Sequence, residues 1–139
     1  MAVVAKPIFP QVIKSDSVQI LPADTTTLKT LYTADADGSL IMGILVSSTD
    51  TANKDIAFYI TVSGTDHLLG TLQIPLNAGN TNAVPLISVF AHSQFANLLK
   101  DVNGNSCLYL GSGAVLKVKA LTTVTAAKII DVMIQGGDF

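Results

Sequence analysis

The stretch Ile56-Ala57-Phe58-Tyr59-Ile60-Thr61-Val62 carries a bulky apolar side chain at every second position. Successive side chains of an extended strand point to opposite faces, so residues 56, 58, 60 and 62 share one face. An alternation of this kind predicts a half-buried β-strand. It is the clearest strand in the sequence, and it favours an all-β fold.

Alternating or β-branched segments recur along the rest of the chain. Further strands are predicted at residues 25–33, 40–46, 67–74, 107–110, 115–121 and 128–135. Turn-forming clusters separate them, among them Ser63–Asp66 and Asn103-Gly104. Short strands with turns every 8 to 12 residues or so predict an antiparallel β-sandwich or jelly-roll-like domain rather than an α/β fold.

The predicted strand at residues 40–46 is apolar on both faces. Strict alternation would place Leu40, Met42, Ile44 and Val46 on one face and Ile41, Gly43 and Leu45 on the other. A strand with two apolar faces is central in its sheet or is covered by another subunit. We therefore expect Ile41 and Leu45 to point outward and to contact other subunits.

The first sixteen residues show no steady period and contain prolines at positions 7 and 10. Proline cannot donate a backbone hydrogen bond, so it interrupts helices and central strands. The pattern predicts an extended N-terminal arm over Met1–Asp16, followed by a β-sandwich domain over residues 17–139. We expect Pro7, Phe9 and Pro10 of the arm to contact neighbouring subunits.

One segment has a helical period. Phe95, Leu98 and Leu99 are spaced to share a helix face, and Ser93 is a suitable N-cap residue. These residues predict one short helix over Ser93–Leu99.

The composition is unusually poor in charge. Hydrophobic residues make up 49% of the chain and charged residues 13%, against roughly 25% charged residues in ordinary globular domains. A surface with so few charges suggests that part of it is buried against other subunits. The net charge of −2 and the eight scattered basic residues argue against a nucleic-acid partner.

Targeting and membrane signals are missing from the sequence pattern. No apolar run approaches the roughly 18 residues of a membrane span. The N-terminal segment does not resemble a signal peptide, because it has no sustained apolar stretch. We therefore expect synthesis in the cytoplasm and no membrane partner.

Residues able to carry catalysis or metal binding are few and scattered. His67 and His92 lie in different segments without the spacing of a metal site. The chain has no nucleophile motif, and its single Cys107 is expected to be a buried apolar residue. The sequence predicts no catalytic residue, no cofactor and no metal.

Two weaker patterns have simpler interpretations. Asp35-x-Asp37-Gly38 and Asp101-x-Asn103-Gly104-Asn105 faintly resemble calcium loops, but the same residues are typical of tight turns, which we favour. Tyr32, Tyr59 and Tyr109 could together form a platform for a carbohydrate, a weak signal because the chain has no Trp.

Three segments resemble small structural proteins of tailed bacteriophages and prophages. They are residues 20–33 (ILPADTTTLKTLYT), residues 67–75 (HLLGTLQIP) with the Asn/Gly loop that follows, and residues 113–128 (GAVLKVKALTTVTAAK). The resemblance extends from about Ser17 to the C-terminus and consists of strands and turns, with no active-site motif.

This resemblance implies a non-enzymatic virion component, in the first place a capsid decoration or cement protein on the outer surface of the head. Its implied partners are the major capsid protein and other copies of itself, commonly as a homotrimer. Within the virion, a tail or head–tail connector component is the alternative. A host-glycan-binding fibre module is an alternative of another class, and a small hydrolase is disfavoured by the scattered titratable groups.

Overall fold

The alternating stretch at residues 56–62 lies in a strand that crosses the middle of one sheet. The computed structural model describes residues 10–139. Its strands are β1 (Val12–Ile20), β2 (Lys29–Thr33), β3 (Ser39–Ser48), β4 (Lys54–Val62), β5 (Thr65–Ile74), β6 (Ile87–Ser88), β7 (Leu108–Leu110), β8 (Val115–Ala120) and β9 (Ile130–Asp138). Single 3-10 turns lie at Pro22–Asp24, Val89–Ala91 and Ser93–Phe95. The predicted all-β class is confirmed.

The strands form two antiparallel sheets. Sheet A has the order β1-β9-β3-β6, and β7 pairs with the first residues of β3. Sheet B has the order β2-β8-β4-β5. The chain passes from sheet A to sheet B and back several times, so most sheet neighbours are distant in sequence. The hairpin β4–β5 is the exception.

The buried faces of the two sheets share one hydrophobic core. Ile44 and Val46 of β3 and Val132 of β9 contribute from sheet A, while Phe58 of β4 and Val118 of β8 contribute from sheet B. All five side chains are fully buried. Removal of this apolar surface from water is the main force that holds the sheets together.

The predicted helix over Ser93–Leu99 is wrong. The segment contains one 3-10 turn, Ser93–Phe95, whose first free amide is satisfied by a hydrogen bond from the Gln94 N–H to the His92 imidazole. Phe95 is buried in the core, where its ring meets Phe58 edge-on at 6.1 Å, and the half-buried Leu98 packs against the same core. Leu99 is exposed, so the segment has no continuous apolar face that a helix could bury.

The predicted arm over Met1–Asp16 is not confirmed. Residues 12–16 belong to β1, which pairs with β9 from Val12–Asp138 to Ile20–Ile130. The strand thus runs through the predicted boundary at residue 17. β1 is an edge strand with polar side chains on both faces, so the alternation that marks buried strands is absent from it. Residues 1–9 of the predicted arm lie outside the described residues.

Candidate interaction surface

The outward face of sheet B carries charged side chains beside Tyr59 and the exposed Leu68. Lys117 of β8 forms an ion pair with Asp66 of β5 at 3.2 Å, and the Lys119 ammonium lies 5.2 Å from the centre of the Tyr59 ring. Leu116, Val118 and Ala120 are buried and alternate with half-buried lysines, so β8 has a core face and an outward face.

The outward face of sheet A has the opposite character. We call it the sheet A outer face and define it by Ile13, Ser15 and Ser17 of β1, Met133 and Gln135 of β9, Met42 and Leu45 of β3, and Tyr109 of β7. Four of its apolar side chains are substantially exposed: Ile13 by 89%, Met42 by 58%, Tyr109 by 52% and Met133 by 40%. None of these residues carries a charge, and Asp131 of β9 is a charged residue farther along the same side of the sheet. A flat apolar face of this kind is typical of a protein contact.

A β-bulge decides which residues of β3 reach this face. Ile41 pairs with Gly136 and Gly43 pairs with Gln135, so Met42 is an extra residue in β3. The extra residue shifts the alternation, and Ile41 lies in the core with no exposed surface. The prediction that Ile41 points outward is therefore wrong, and Met42 holds that position.

Leu45 does lie on the outward side of β3. It is half-buried and pairs with Met133 of the neighbouring strand β9. Together they line a depression of about 210 Å³ with Ser15 and Ser17 of β1. Contact of Leu45 with another subunit stays a prediction.

An aromatic pair extends the apolar surface beyond β3. The rings of Tyr109 and Phe139 lie parallel, 6.3 Å apart and inclined by 5°. Sequence reasoning considered Tyr109 only as a carbohydrate platform and overlooked Phe139.

Pro10 lies against the sheet A outer face. A Cβ atom added at Gly137 of β9 would meet the Pro10 Cβ at 2.6 Å, so the missing side chain of Gly137 makes room for the proline. Pro10 lines a groove of about 500 Å³ together with Ile13, Lys14, Ser15, Met42, Gln135 and Gly136. The other two predicted contact residues of the arm, Pro7 and Phe9, lie outside the described residues.

A buried polar cluster joins the two sheets behind this groove. The Asp138 carboxylate of β9 accepts hydrogen bonds from the Tyr32 hydroxyl of β2 and from the Ser39 hydroxyl, the latter at 2.6 Å. Lys14 of β1 lies 3.5 Å from the same carboxylate. Burial and the hydrogen bond to Asp138 raise the pKa of Tyr32 to about 12. Although burial alone would raise the pKa of Asp138, the hydrogen bonds and the Lys14 charge lower it.

A second buried carboxylate fixes the loops at the opposite end of β3. Asp50 accepts hydrogen bonds from the Ala52 N–H at 2.9 Å and from both the N–H and the hydroxyl of Thr125, at 2.9 and 2.7 Å. Burial opposes the charge, but these bonds and Lys54 nearby lower the pKa of Asp50. Both carboxylate clusters have the geometry of structural joints, since each acceptor is occupied by strand or loop donors.

The remaining titratable residues are not gathered. His67 lies in β5 near the tip of the β4–β5 hairpin. His92 lies in a different segment, directly before the 3-10 turn Ser93–Phe95. Within residues 10–139, no three His, Cys, Asp or Glu side chains come together in a metal-binding arrangement. Cys107 is buried, as predicted, and burial raises the pKa of its thiol.

The calcium-like and tyrosine patterns resolve into structural roles. One Asp101 oxygen accepts the N–H groups of Asn103 and Asn105 at 2.8 and 2.9 Å, as expected for the tight turn that we favoured. Tyr32 is in the core, Tyr59 lies on sheet B and Tyr109 on sheet A. The three tyrosines therefore do not form one platform.

No helical segment within the described part of the chain is long and apolar enough to span a membrane. No family model, curated protein or solved structure matches the chain.

Proposed function

We propose that this protein is a non-enzymatic virion assembly protein that binds its partner through the sheet A outer face. The observation that carries the proposal is the contrast between the two sheets. The Lys117–Asp66 ion pair and Lys119 lie on the outward face of sheet B beside the exposed Leu68. The sheet A outer face exposes Ile13, Met42 and Met133, and the charged Asp131 lies farther along the same side of β9. Interface centres are depleted in charge and enriched in Met and aromatic side chains, as this face is.

The proposed architecture is a β-sandwich of the jelly-roll type. The orders β1-β9-β3-β6 and β2-β8-β4-β5 support it, because, apart from the short β7 in the five-stranded sheet A, two interleaved rows of four antiparallel strands are the arrangement of a double Greek key. Viral capsid proteins, lectins and cupins share that arrangement, so it does not select one function.

The proposed partner is the major capsid protein, which places the domain on the outer surface of a phage head as a homotrimeric decoration protein. The sequence resemblance to structural proteins of tailed phages supports this choice over other assemblies. A domain repeated around a symmetry axis gains affinity from many weak contacts and can stabilise the lattice that it bridges. Besides Met42 and Leu45, the proposed contacts include Pro7, Phe9 and Pro10.

Co-sedimentation with purified heads that lack this protein tests the proposal. We expect the wild-type protein to sediment with the heads and Met133→Asp to remain in the supernatant, because the substitution puts a charge on the sheet A outer face. Thr33→Asp is the matched control, since Thr33 is exposed at the edge of sheet B. Equal sedimentation of the two variants, or a wild-type protein that ignores heads, would overturn the proposal.

Native mass in solution tests the oligomer separately. We expect the free protein to have the mass of three chains. A monomer at all concentrations would rule out the homotrimer and leave binding to the capsid lattice to be judged by sedimentation alone.

A glycan-binding fibre module remains the second candidate because of one polar depression. It has a volume of about 500 Å³ beside Met42, and its polar lining residues are Ser88, His92, Ser93, Lys100, Asn105 and Ser106. Hydroxyl, amide and ammonium groups of this kind can bind sugar hydroxyls. A glycan array with wild type and Asn105→Ala tests it: a sugar bound by wild type and lost in the variant, without head binding, would favour this candidate.

A further inference from the structure

The polar depression beside Met42 offers hydrogen-bond donors to a ligand. Among its lining residues are His92, Lys100 and Ser106. The acceptor atoms of His92 and Ser106 already receive hydrogen bonds from the protein, whereas donor hydrogens of all three side chains are left over. We infer that the depression binds a small organic oxyanion, a carboxylate or a phosphate ester, through these three side chains.

Two 3-10 turns fix the imidazole of His92, which is the cap residue between them. Its N–H donates to the Val89 carbonyl at 3.0 Å, and its carbonyl accepts from the Phe95 N–H at 2.9 Å. Its Nδ1 atom accepts a hydrogen bond from the Gln94 N–H at 3.2 Å. A neutral imidazole that accepts at Nδ1 carries its proton on Nε2. His92 therefore has an Nε2–H donor for a ligand.

Lys100 and Ser106 face each other across the base of the neighbouring loop. They form an isolated antiparallel bridge, so their side chains lie on the same side of it. The Lys100 ammonium donates a hydrogen bond to the Ser106 hydroxyl oxygen. The hydroxyl hydrogen of Ser106 and two ammonium hydrogens of Lys100 are then left to donate to a ligand.

Lys100 differs from most other lysines of the described chain in its partner. Lys100 bonds to a hydroxyl group and has no carboxylate within 4 Å among residues 10–139. Four other lysines lie within 4 Å of an Asp carboxylate, namely Lys14, Lys29, Lys54 and Lys117. The charge of Lys100 is therefore available to an anionic ligand, and hydrogen bonds to an ionised group are stronger than neutral ones.

The carboxylate next to Lys100 in the sequence is occupied by its own turn. One oxygen of Asp101 accepts the N–H groups of Asn103 and Asn105, and the Asn105 side-chain amide lies 3.5 Å from the other. Asp101 does not line this depression, and neither does any other Asp of the described chain. The electrostatics of the lining therefore favour a negative ligand over a positive one.

Apolar side chains form the rest of the lining and favour an organic ligand. They belong to Met42, Phe90, Ala91 and Ala96. The volume of about 500 Å³ is in the range of small-molecule sites, which combine apolar walls with a few polar groups. An inorganic ion would use the donors alone, whereas a sugar phosphate or a sugar acid would also contact the apolar wall.

The inference rests on the depression that supports the second candidate function, and it adds the charge of the ligand. It does not depend on binding to heads, because free protein and small molecules suffice to test it.

Backbone-amide NMR of the free protein tests the inference. The probes are glucose 6-phosphate, glucuronate, inorganic phosphate and glucose, each added at neutral pH and constant ionic strength. We expect saturable shifts of the Gln94 and Ser106 amide signals with both charged sugars. We expect weaker binding of inorganic phosphate and no saturation with glucose.

A charge-removing variant tests the role of Lys100. Lys100→Gln keeps a polar side chain at an exposed position, and we expect it to bind both charged sugars about tenfold more weakly, because a charge-assisted hydrogen bond is lost. Lys119→Gln is the matched control, since it makes the same change of charge on sheet B and should bind as the wild type does. The amide spectrum of each variant also reports whether it is folded.

Three results would overturn the inference. They are the absence of saturable shifts with the charged sugars, equal affinities of Lys100→Gln and wild type, and binding of glucose as tight as that of the charged sugars. The last result would leave a module for neutral glycans in place. Binding of charged sugars by a protein that ignores heads would support the inference and contradict the proposed virion function, so the two failures are distinguishable.

Discussion

The hydroxyl of Tyr32 in sheet B donates a hydrogen bond to the carboxylate of Asp138 in sheet A. The two residues are 106 positions apart in the sequence, and both are buried. Ser39 donates to the same carboxylate, so the first residue of β3 is joined to the pair. The contact therefore ties both sheets together at the end of the fold that carries the groove.

Asp138→Asn should weaken the fold at neutral pH and reduce its sensitivity to acid. The folded pKa of Asp138 is lowered, so its ionised form stabilises the fold above the ordinary carboxyl pKa of about 4, and this contribution is lost as the pH falls below that value. We expect a loss of about 1–3 kcal/mol at neutral pH, because the amide oxygen can still accept but the negative charge that strengthens these hydrogen bonds is removed. Urea unfolding measured between neutral pH and pH 3 checks this; parallel pH curves for variant and wild type would contradict it.

Tyr32→Phe should change the alkaline limb of the stability curve. The folded pKa of Tyr32 is raised to about 12, so the neutral phenol stabilises the fold fully below the ordinary tyrosine pKa of about 10. That contribution is lost as the pH rises from about 10 through about 12. We expect the wild type to lose stability over this range more steeply than the variant. Tyrosinate absorbance during the titration should show one fewer late-titrating phenol in Tyr32→Phe.

Asp50→Ala should be strongly destabilising, although it lies in a turn. The substitution removes the buried carboxylate that accepts from the Ala52 N–H and from the N–H and hydroxyl of Thr125, at a cost of about 1–3 kcal/mol. Asp55→Ala is the matched control, since Asp55 is exposed and should change stability by less than about 0.5 kcal/mol. Combination with Thr125→Val should give less than the sum of the single losses, because both remove the same contact. Additive losses in chemical unfolding would contradict the assigned pairing.

Alternation predicted the strands that have one buried face. β4, β8 and β9 were found from the sequence because residues such as Phe58, Leu116 and Val132 recur at every second position and are buried. The same reasoning missed β1, whose Lys14-Ser15-Asp16-Ser17 run lies at the edge of sheet A. An edge strand is held by backbone hydrogen bonds along one side, and these leave no mark in side-chain polarity.

The candidate surface was predicted in type but not in residues. Low charge pointed to a contact surface, and Leu45 was placed on its outward side. Strict alternation assigned Met42 to the core. The bulge adds one residue to β3, but the segment is apolar on both faces, so its sequence gives no sign of the extra residue. The bulge depends on Gly136 opposite it, where a Cβ would lie 2.2 Å from the Leu40 carbonyl oxygen. Leu40 and Gly136 are far apart in the sequence, so local patterns could not show their close approach.

Alanine substitutions on the two sides of the bulge test the assignment directly. Ile41→Ala removes a fully buried side chain and should cost about 2–5 kcal/mol, because it leaves a cavity between the sheets. Met42→Ala removes a largely exposed side chain and should cost less than about 1 kcal/mol. Urea unfolding of the two variants at the same pH measures the difference. Strict alternation through β3 predicts the reverse order, so a larger loss for Met42→Ala would mean that β3 has no bulge and that Ile41 belongs to the sheet A outer face.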